Sequence, residues 1–345
     1  MNRYTRLEKI FHKIILGSKA IQEISFYAEK FFKADKSKGF SKNPVFVMGL
    51  ARSGTTTLLR LLHKTKKFES ITYRDVPFVL MPSLWERMSR SFHLHMAPEE
   101  RAHGDAILVD FDSPESFEAI FWRTFSDQSY VKPRVMCQYQ PSTEVIDEFK
   151  HYLGLVGNKS KAGKRYLSKN NNNLLRIQHL SKQISDGIFL IMWRNPLQTA
   201  YSLFKMDQRF TTSQKEDPFV LEYMNLIGHY EFGMGHKTFE FDQNFQTEFQ
   251  VTSPNYWLAY WIYVHSFLVE KEWNENVYLI SYEDICSQGE LRLKGLFNLL
   301  GIELGVEEFA SDLKLSRDSK LPSFDQGLIN SALKIEEQLL QRSFR

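Results

Sequence analysis

Cysteine is almost missing from this sequence: its 345 residues include only Cys137 and Cys286. Two thiols so far apart build no disulfide framework, and no Cys/His cluster has zinc-ligand spacing. The pattern predicts a reducing, cytoplasmic setting and no metal centre. Charge of one sign is missing too. Forty-four Lys and Arg against 41 Asp and Glu leave a formal net charge of +3. That excess excludes a general nucleic-acid binder but leaves room for a local basic patch around an anionic ligand. Long apolar runs are absent as well. No stretch approaches the roughly 20 residues of a membrane span. Glu8, Lys9, His12 and Lys13 interrupt the one N-terminal candidate for a signal peptide. A soluble protein is expected.

The hydrophobic share of 43% is ordinary for a globular chain large enough to bury a substantial core. Aromatic residues are frequent, with 28 Phe. They fit an aromatic-rich core better than an aromatic-lined pocket.

Leu7, Ile10, Phe11, Ile14, Ile15, Ile21, Ile24, Ala28, Phe31 and Phe32 recur at near-helical spacing with lysines between them. They predict one amphipathic helix over residues 1–40. Such a helix lies on a membrane or packs on its own domain or a second subunit, and packing is the commoner outcome, so a homodimer is conceivable. Ala34 to Gly39 reads as a linker, and residues 41–345 as one domain.

That domain opens with Pro44-Val45-Phe46-Val47-Met48-Gly49, a small-residue loop, and a helix carrying Leu58, Leu59, Leu61 and Leu62. Strand, tight loop and helix begin a parallel α/β unit. Further strands are predicted at Tyr166–Ser168, Gly187–Trp193 and Val277–Ile280, and further helices over Leu174–Gln183 and from Pro196 through Met206. The expected fold is α/β, an open parallel sheet of the P-loop type flanked by helices, with ligands at the carboxyl ends of the strands. Segments 76–165 and 207–256 fit that sheet poorly and read as insertions, the second a lid or acceptor site. Tyr256 to Tyr263 reads as a buried helix or a pocket lining.

The first loop, Gly49-Leu50-Ala51-Arg52-Ser53-Gly54-Thr55-Thr56, has the frame G-x4-G-T-T. A Walker A loop needs Lys directly after the second glycine to reach the β- and γ-phosphates of a nucleoside triphosphate. Here Thr55 stands there, and the cation, Arg52, comes two residues before Gly54. Backbone N–H groups, a helix N-terminus, Arg52 and the hydroxyls of Ser53, Thr55, Thr56 and Thr57 still suit an anion. They do not suit magnesium-dependent triphosphate chemistry. Arg194 directly follows the most apolar strand, and Ser202 lies eight residues on. With the helix starting near Pro196, Ser202 falls on its second turn, roughly 9 Å along.

Taken together, the two motifs resemble those of the sulfotransferases that use 3′-phosphoadenosine-5′-phosphosulfate (PAPS). The resemblance covers residues 44 to 300. It implies that the loop from Arg52 to Thr57 holds the 5′-phosphosulfate and that Arg194 and Ser202 hold the 3′-phosphate. Asn195 replaces the family's usual Asp. Tyr166-Leu167-Ser168-Lys169 resembles a segment carrying a catalytic lysine, and Tyr282-Glu283-Asp284-Ile285 a motif whose tyrosine helps hold the nucleotide. Arg52 and Lys169 would stabilise charge on the leaving oxygens. The catalytic base would be Asp75, a carboxylate some twenty residues after the cation, or His103. Arg in the first loop resembles the bacterial and protein-tyrosine branches. The C-terminal Arg-Lys-Gly motif of the cytosolic enzymes is missing, leaving Arg317 and Lys320 as substitutes. The acceptor would be a small molecule, glycan, lipid or peptide. A small-molecule kinase and a non-catalytic nucleotide binder are the competing readings.

Overall fold

The computed structural model describes residues 5–33, 41–89, 99–100, 108–160, 163–313 and 320–344. Its framework is a five-stranded sheet: β1 (Val45–Gly49), β2 (Phe68–Glu69), β3 (Arg165–Lys169), β4 (Ile188–Trp193) and β5 (Val277–Ser281). The spatial order is β2-β3-β1-β4-β5 and every pairing is parallel. The chain therefore reverses its direction of winding around β1, which brings the carboxyl ends of β1, β3 and β4 side by side.

Alternation along the strands divides the core in two. Phe46, Met48, Phe189, Ile191 and Trp193 face one apolar cluster. Val45, Val47, Leu190 and Met192 face the other, against Leu58, Leu59 and Leu62 of the loop helix α3 (Thr55–Lys64). Burial on both faces explains why β1 and β4 read as unbroken apolar runs. Most of the aromatic excess lies in the first cluster, where Phe121, Trp122, Phe149, Tyr152 and Tyr166 pack ring on ring.

The N-terminal segment departs from the expected single helix. Two helices form, α1 (Arg6–Gly17) and α2 (Lys19–Phe32). Ser18 takes an extended conformation between them, and its hydroxyl accepts the Ile21 N–H. A good N-cap residue directly after glycine ends one helix and starts the next. The helix expected over Leu174–Gln183 instead begins as a 3-10 turn, Asn171–Leu175, and becomes α-helical at Ile177. The helix from Pro196 runs well past Met206, to Glu216.

The two segments that fit the sheet poorly are joined to each other. Val135–Cys137 pairs in parallel with Thr238–Glu240, outside the main sheet. Both are also tied to the asparagine run after β3. The buried Glu118 carboxylate accepts hydrogen bonds from Trp122 Nε1 (2.9 Å), Tyr166 Oη (3.0 Å), Ser168 Oγ (2.5 Å), Asn170 Nδ2 (3.1 Å) and Asn173 Nδ2 (2.8 Å). Asn172 Nδ2 reaches the carbonyl of Gly228 at 2.9 Å. Arg176, equally buried, donates to Asn173 Oδ1 at 3.1 Å, its guanidinium 4.4 Å from the Trp122 ring centroid and 4.8 Å from that of Tyr139.

Removing one partner of a buried charged network strands the others without water, at about 3–5 kcal/mol. Glu118→Ala should therefore lower unfolding stability in urea by that amount. Glu118→Gln should recover only part of it, because its NH2 group faces donors. A loss below about 1 kcal/mol for Glu118→Ala would contradict this role.

Candidate active site

β1 ends at Gly49, whose φ of 154° and contact with the Met192 carbonyl leave no space for a side chain. The loop then turns tightly, with the Ser53 N–H donating to the Leu50 carbonyl at 3.2 Å. Arg52 sits at φ 70°, a left-handed conformation that L residues rarely adopt and that surrounding structure must hold. Gly54, at φ 90°, is the N-cap of α3 and makes no side-chain cap. The N–H groups of the first turn, Thr55 to Thr57, therefore lack an acceptor within the helix and point out of a positive dipole end. The Ser53 hydroxyl is buried without a hydrogen-bond partner, as expected where a ligand oxygen is to be met. Thr55 and Thr56 are buried and Thr57 half-buried beside it.

The two anion motifs meet. Arg52 Nε donates to Ser202 Oγ at 3.0 Å, across 150 residues of sequence. Tyr282, which follows β5, lays its ring against Gly54, where a Cβ would collide with it. The Arg194 guanidinium lies 5.3 Å from the centroid of the same ring, and burial pushes the Tyr282 phenol well up. Arg194 also donates to Gln198 Oε1 (2.8 Å) and stands 3.7 Å from Glu283 Oε1. One tyrosine thus touches both loops.

Asn195 has a structural reason to replace Asp. Its Oδ1 accepts the Gln198 N–H at 3.1 Å and caps the helix, while its Nδ2 donates to Glu336 Oε1 at 3.2 Å. Its backbone N–H donates to Glu283 Oε1. Burial raises the pKa of both Glu283 and Glu336. An Asp would keep the cap but lose the donor and add a third carboxylate.

Lys169, at the end of β3, is buried with Nζ 3.7 Å from Glu115 Oε1. Glu115 also accepts from the Ser116 N–H (2.9 Å) and from Tyr73 Oη (3.3 Å). Nothing in the spacing of Ser113-Pro114-Glu115-Ser116 marks this carboxylate. The segment is brought in by pairing with the chain after β2, where Thr72 bridges Pro114. Asp75 is engaged differently. Its Oδ2 accepts from Thr72 N (2.7 Å) and Thr72 Oγ1 (3.0 Å) and pairs with Lys159 Nζ (2.7 Å). The neighbouring Arg74 pairs with Asp112 instead. His103 and Arg317 lie outside the described residues, and Lys320 is exposed.

A cavity beside the loop is lined by Leu50, Ala51, Leu203, His236, Trp257 and Tyr260. The last two come from the aromatic helix Pro254–Glu270, which is buried as expected and also supplies this wall. His236 Nδ1 is 2.8 Å from the Glu231 carbonyl, so it carries the proton, and Nε2 accepts from Tyr256 Oη at 3.2 Å. Burial pushes its pKa down to about 4, leaving the ring neutral. No group of three or more His, Cys, Asp or Glu among the described residues could hold a metal ion.

The Asn195 contacts predict a pH signature. Carboxylates whose folded pKa is raised give stability that is full at acid pH and declines as pH rises through that pKa. Asn195→Asp should stay near wild type at the acid end and lose about 1–3 kcal/mol by neutral pH. Urea midpoints across pH check this, and a loss independent of pH would contradict it.

Among curated proteins none matches the sequence. A sulfotransferase of Mycobacterium avium superposes with a TM-score of 0.52 at 12% identity, covering 99% of this chain and 87% of its own. One of Mycobacterium tuberculosis H37Rv gives 0.48 at 12% identity, covering 96% and 85%. The M. avium likeness speaks for the fold. The family model described as the sulfotransferase family matches residues 44–306, from the start of β1 to beyond Tyr282, spanning both anion motifs and Lys169. The chain belongs to the sulfotransferase family.

Proposed function

We propose that this sulfotransferase takes its sulfuryl group from PAPS, the donor its family generally uses, and that the two loops joined by Arg52 and Ser202 hold that donor. The hydrogen bond between those two residues carries the reading, because it brings the two anion-binding motifs to one edge of the sheet. When bound, PAPS supplies a sulfuryl group on a phosphate leaving group. The N–H groups of Thr55 to Thr57 and the Ser53 hydroxyl suit the 5′ end. Arg194 suits the 3′-phosphate with a forked grip, and the Ser202 hydroxyl can donate to it while accepting from Arg52. Tyr282 packs between the two.

Transfer demands charge stabilisation on the leaving oxygens and a base for the acceptor proton. Arg52 and the buried Lys169 would serve the first. For the second, Glu115 is preferred because it lies beside Lys169; it and Asp75 each accept two hydrogen bonds and pair with a lysine.

Calorimetric titration tests the donor class. 3′-Phosphoadenosine-5′-phosphate should bind at least tenfold more tightly than ATP without magnesium, and Arg194→Ala should remove that preference. Equal affinity for the two nucleotides would overturn the assignment. Arg52→Ala should lower kcat/KM for transfer by about 100-fold or more with the fold intact.

The base is tested by comparing two variants. Glu115→Gln should cut kcat strongly and remove the acid limb of the pH–rate profile, with the nucleotide still bound. Asp75→Asn should lower unfolding stability by about 3 kcal/mol and leave that limb in place. If Asp75→Asn abolished the limb and Glu115→Gln kept it, the roles would be reversed.

A further inference from the structure

Glu283 stands against both residues that shape the loop after β4. Its Oε1 accepts the Asn195 N–H at 3.1 Å and lies 3.7 Å from Arg194 Nε. Its Oε2 is buried and accepts no hydrogen bond among the described residues. An ionised oxygen shut away from water without a donor costs more than the same oxygen carrying a proton.

The charged and titratable groups facing Glu283 are few. Tyr282, Asp284 and Cys286 come from its own helix, Tyr282–Ser287, Arg194 from the loop after β4, and Glu336 from the C-terminal helix Gln326–Arg342. Of these only Arg194 is a cation. Burial raises the pKa of Glu283 most and Asp284 adds to it, while the Asn195 N–H and Arg194 oppose them. Glu336 is raised in turn by its own burial and by Glu283, and its Oε1 accepts from Asn195 Nδ2 at 3.2 Å.

On the donor reading above, on which this step rests, a 3′-phosphate would share the Arg194 guanidinium with Glu283. A phosphate monoester carries about −1.5 to −2 charges at neutral pH. One guanidinium cannot balance that phosphate and a carboxylate together, so the weaker and half-buried acid is the one to become neutral. We propose that Glu283 is a positioning residue that yields Arg194 to the donor by taking up a proton from solvent on Oε2, while Oε1 keeps the Asn195 N–H and holds the loop in place. Donor binding and protonation then favour each other. Affinity is full below the pKa of Glu283 in the free enzyme and declines above it, by up to about tenfold per pH unit. It levels off once pH passes the pKa in the complex.

Calorimetric titration of the full chain with 3′-phosphoadenosine-5′-phosphate, in buffers of high and low ionisation heat, counts the protons taken up. The 3′-phosphate, with a second pKa of about 6, can release only about a tenth of a proton near pH 7. Wild type should therefore show net uptake there, and Glu283→Gln should not. Glu283→Gln keeps an acceptor for the Asn195 N–H and should bind the nucleotide more tightly, its advantage over wild type growing about fivefold or more between pH 6 and 8. Glu336→Gln should keep the wild-type pH trend. The absence of net uptake by wild type would overturn the proposal, as would an affinity gap between wild type and Glu283→Gln that does not change with pH. Loss of the trend in Glu336→Gln would assign the proton to that carboxylate and overturn it too. A wild type that binds this nucleotide no better than ATP would overturn the donor reading itself, and this step with it.

Discussion

The Glu118 carboxylate is the constraint on which the rest of the site depends. A buried carboxylate is tolerable only when its oxygens are saturated. Here five donors converge from β3, from the asparagine run and from the insertion that carries Glu118 itself. They meet only if the insertion docks under the carboxyl edge of the sheet. Once it docks, the backbone on both sides of Lys169 has one arrangement. Asn173 extends the network to the guanidinium of Arg176, so a buried negative and a buried positive charge are joined through one amide rather than by direct contact. The ring faces around Arg176 supply the remaining stabilisation.

The loop after β1 depends on long-range packing in the same way. Gly54 opens the helix end to an anion, but the glycine is also required because Tyr282 occupies the space of its side chain. Arg52 holds an unfavourable backbone conformation and bonds to Ser202 from another strand's helix. The loop is therefore a composite: β1 supplies the turn, β4 the Arg194 and Ser202 arm, and β5 the tyrosine between them. This explains how the cation can sit before the glycine rather than after it. Its aim comes from the tertiary partner, not from the loop alone.

Legibility in the sequence followed the range of the causes. β1, β4 and β5 were readable because burial on both faces writes itself as a local apolar run. The turn into α3 was readable because Gly49 and Gly54 supply the positive φ it needs. β2, with two residues, leaves too short a pattern to see. Asp75 stands at the spacing from Arg52 expected of a base, and what its spacing does not show is the pairing of its carboxylate with Lys159, 84 residues away. Glu115 shows the converse, since only the pairing of Thr72 with Pro114 brings it to Lys169. The asparagine run gives no local sign of its tertiary partners: Asn170 and Asn173 share the Glu118 carboxylate, and Asn172 takes the Gly228 carbonyl. Asn195 read as a departure from a motif and is accounted for by Glu336, 141 residues away.

The N-terminal helices carry the same lesson to the surface. Periodicity establishes that a helix has two faces, but it does not say which of them is turned inward. The usual inference, that the apolar face is buried, rests on hydrophobic burial outweighing the alternatives. Here the inward faces are mixed: Ile15, Leu16 and Phe26 are buried together with Gln22 and Glu29, whose backbone partners only this orientation satisfies, and stranding such groups would cost about as much as burying an apolar side chain gains.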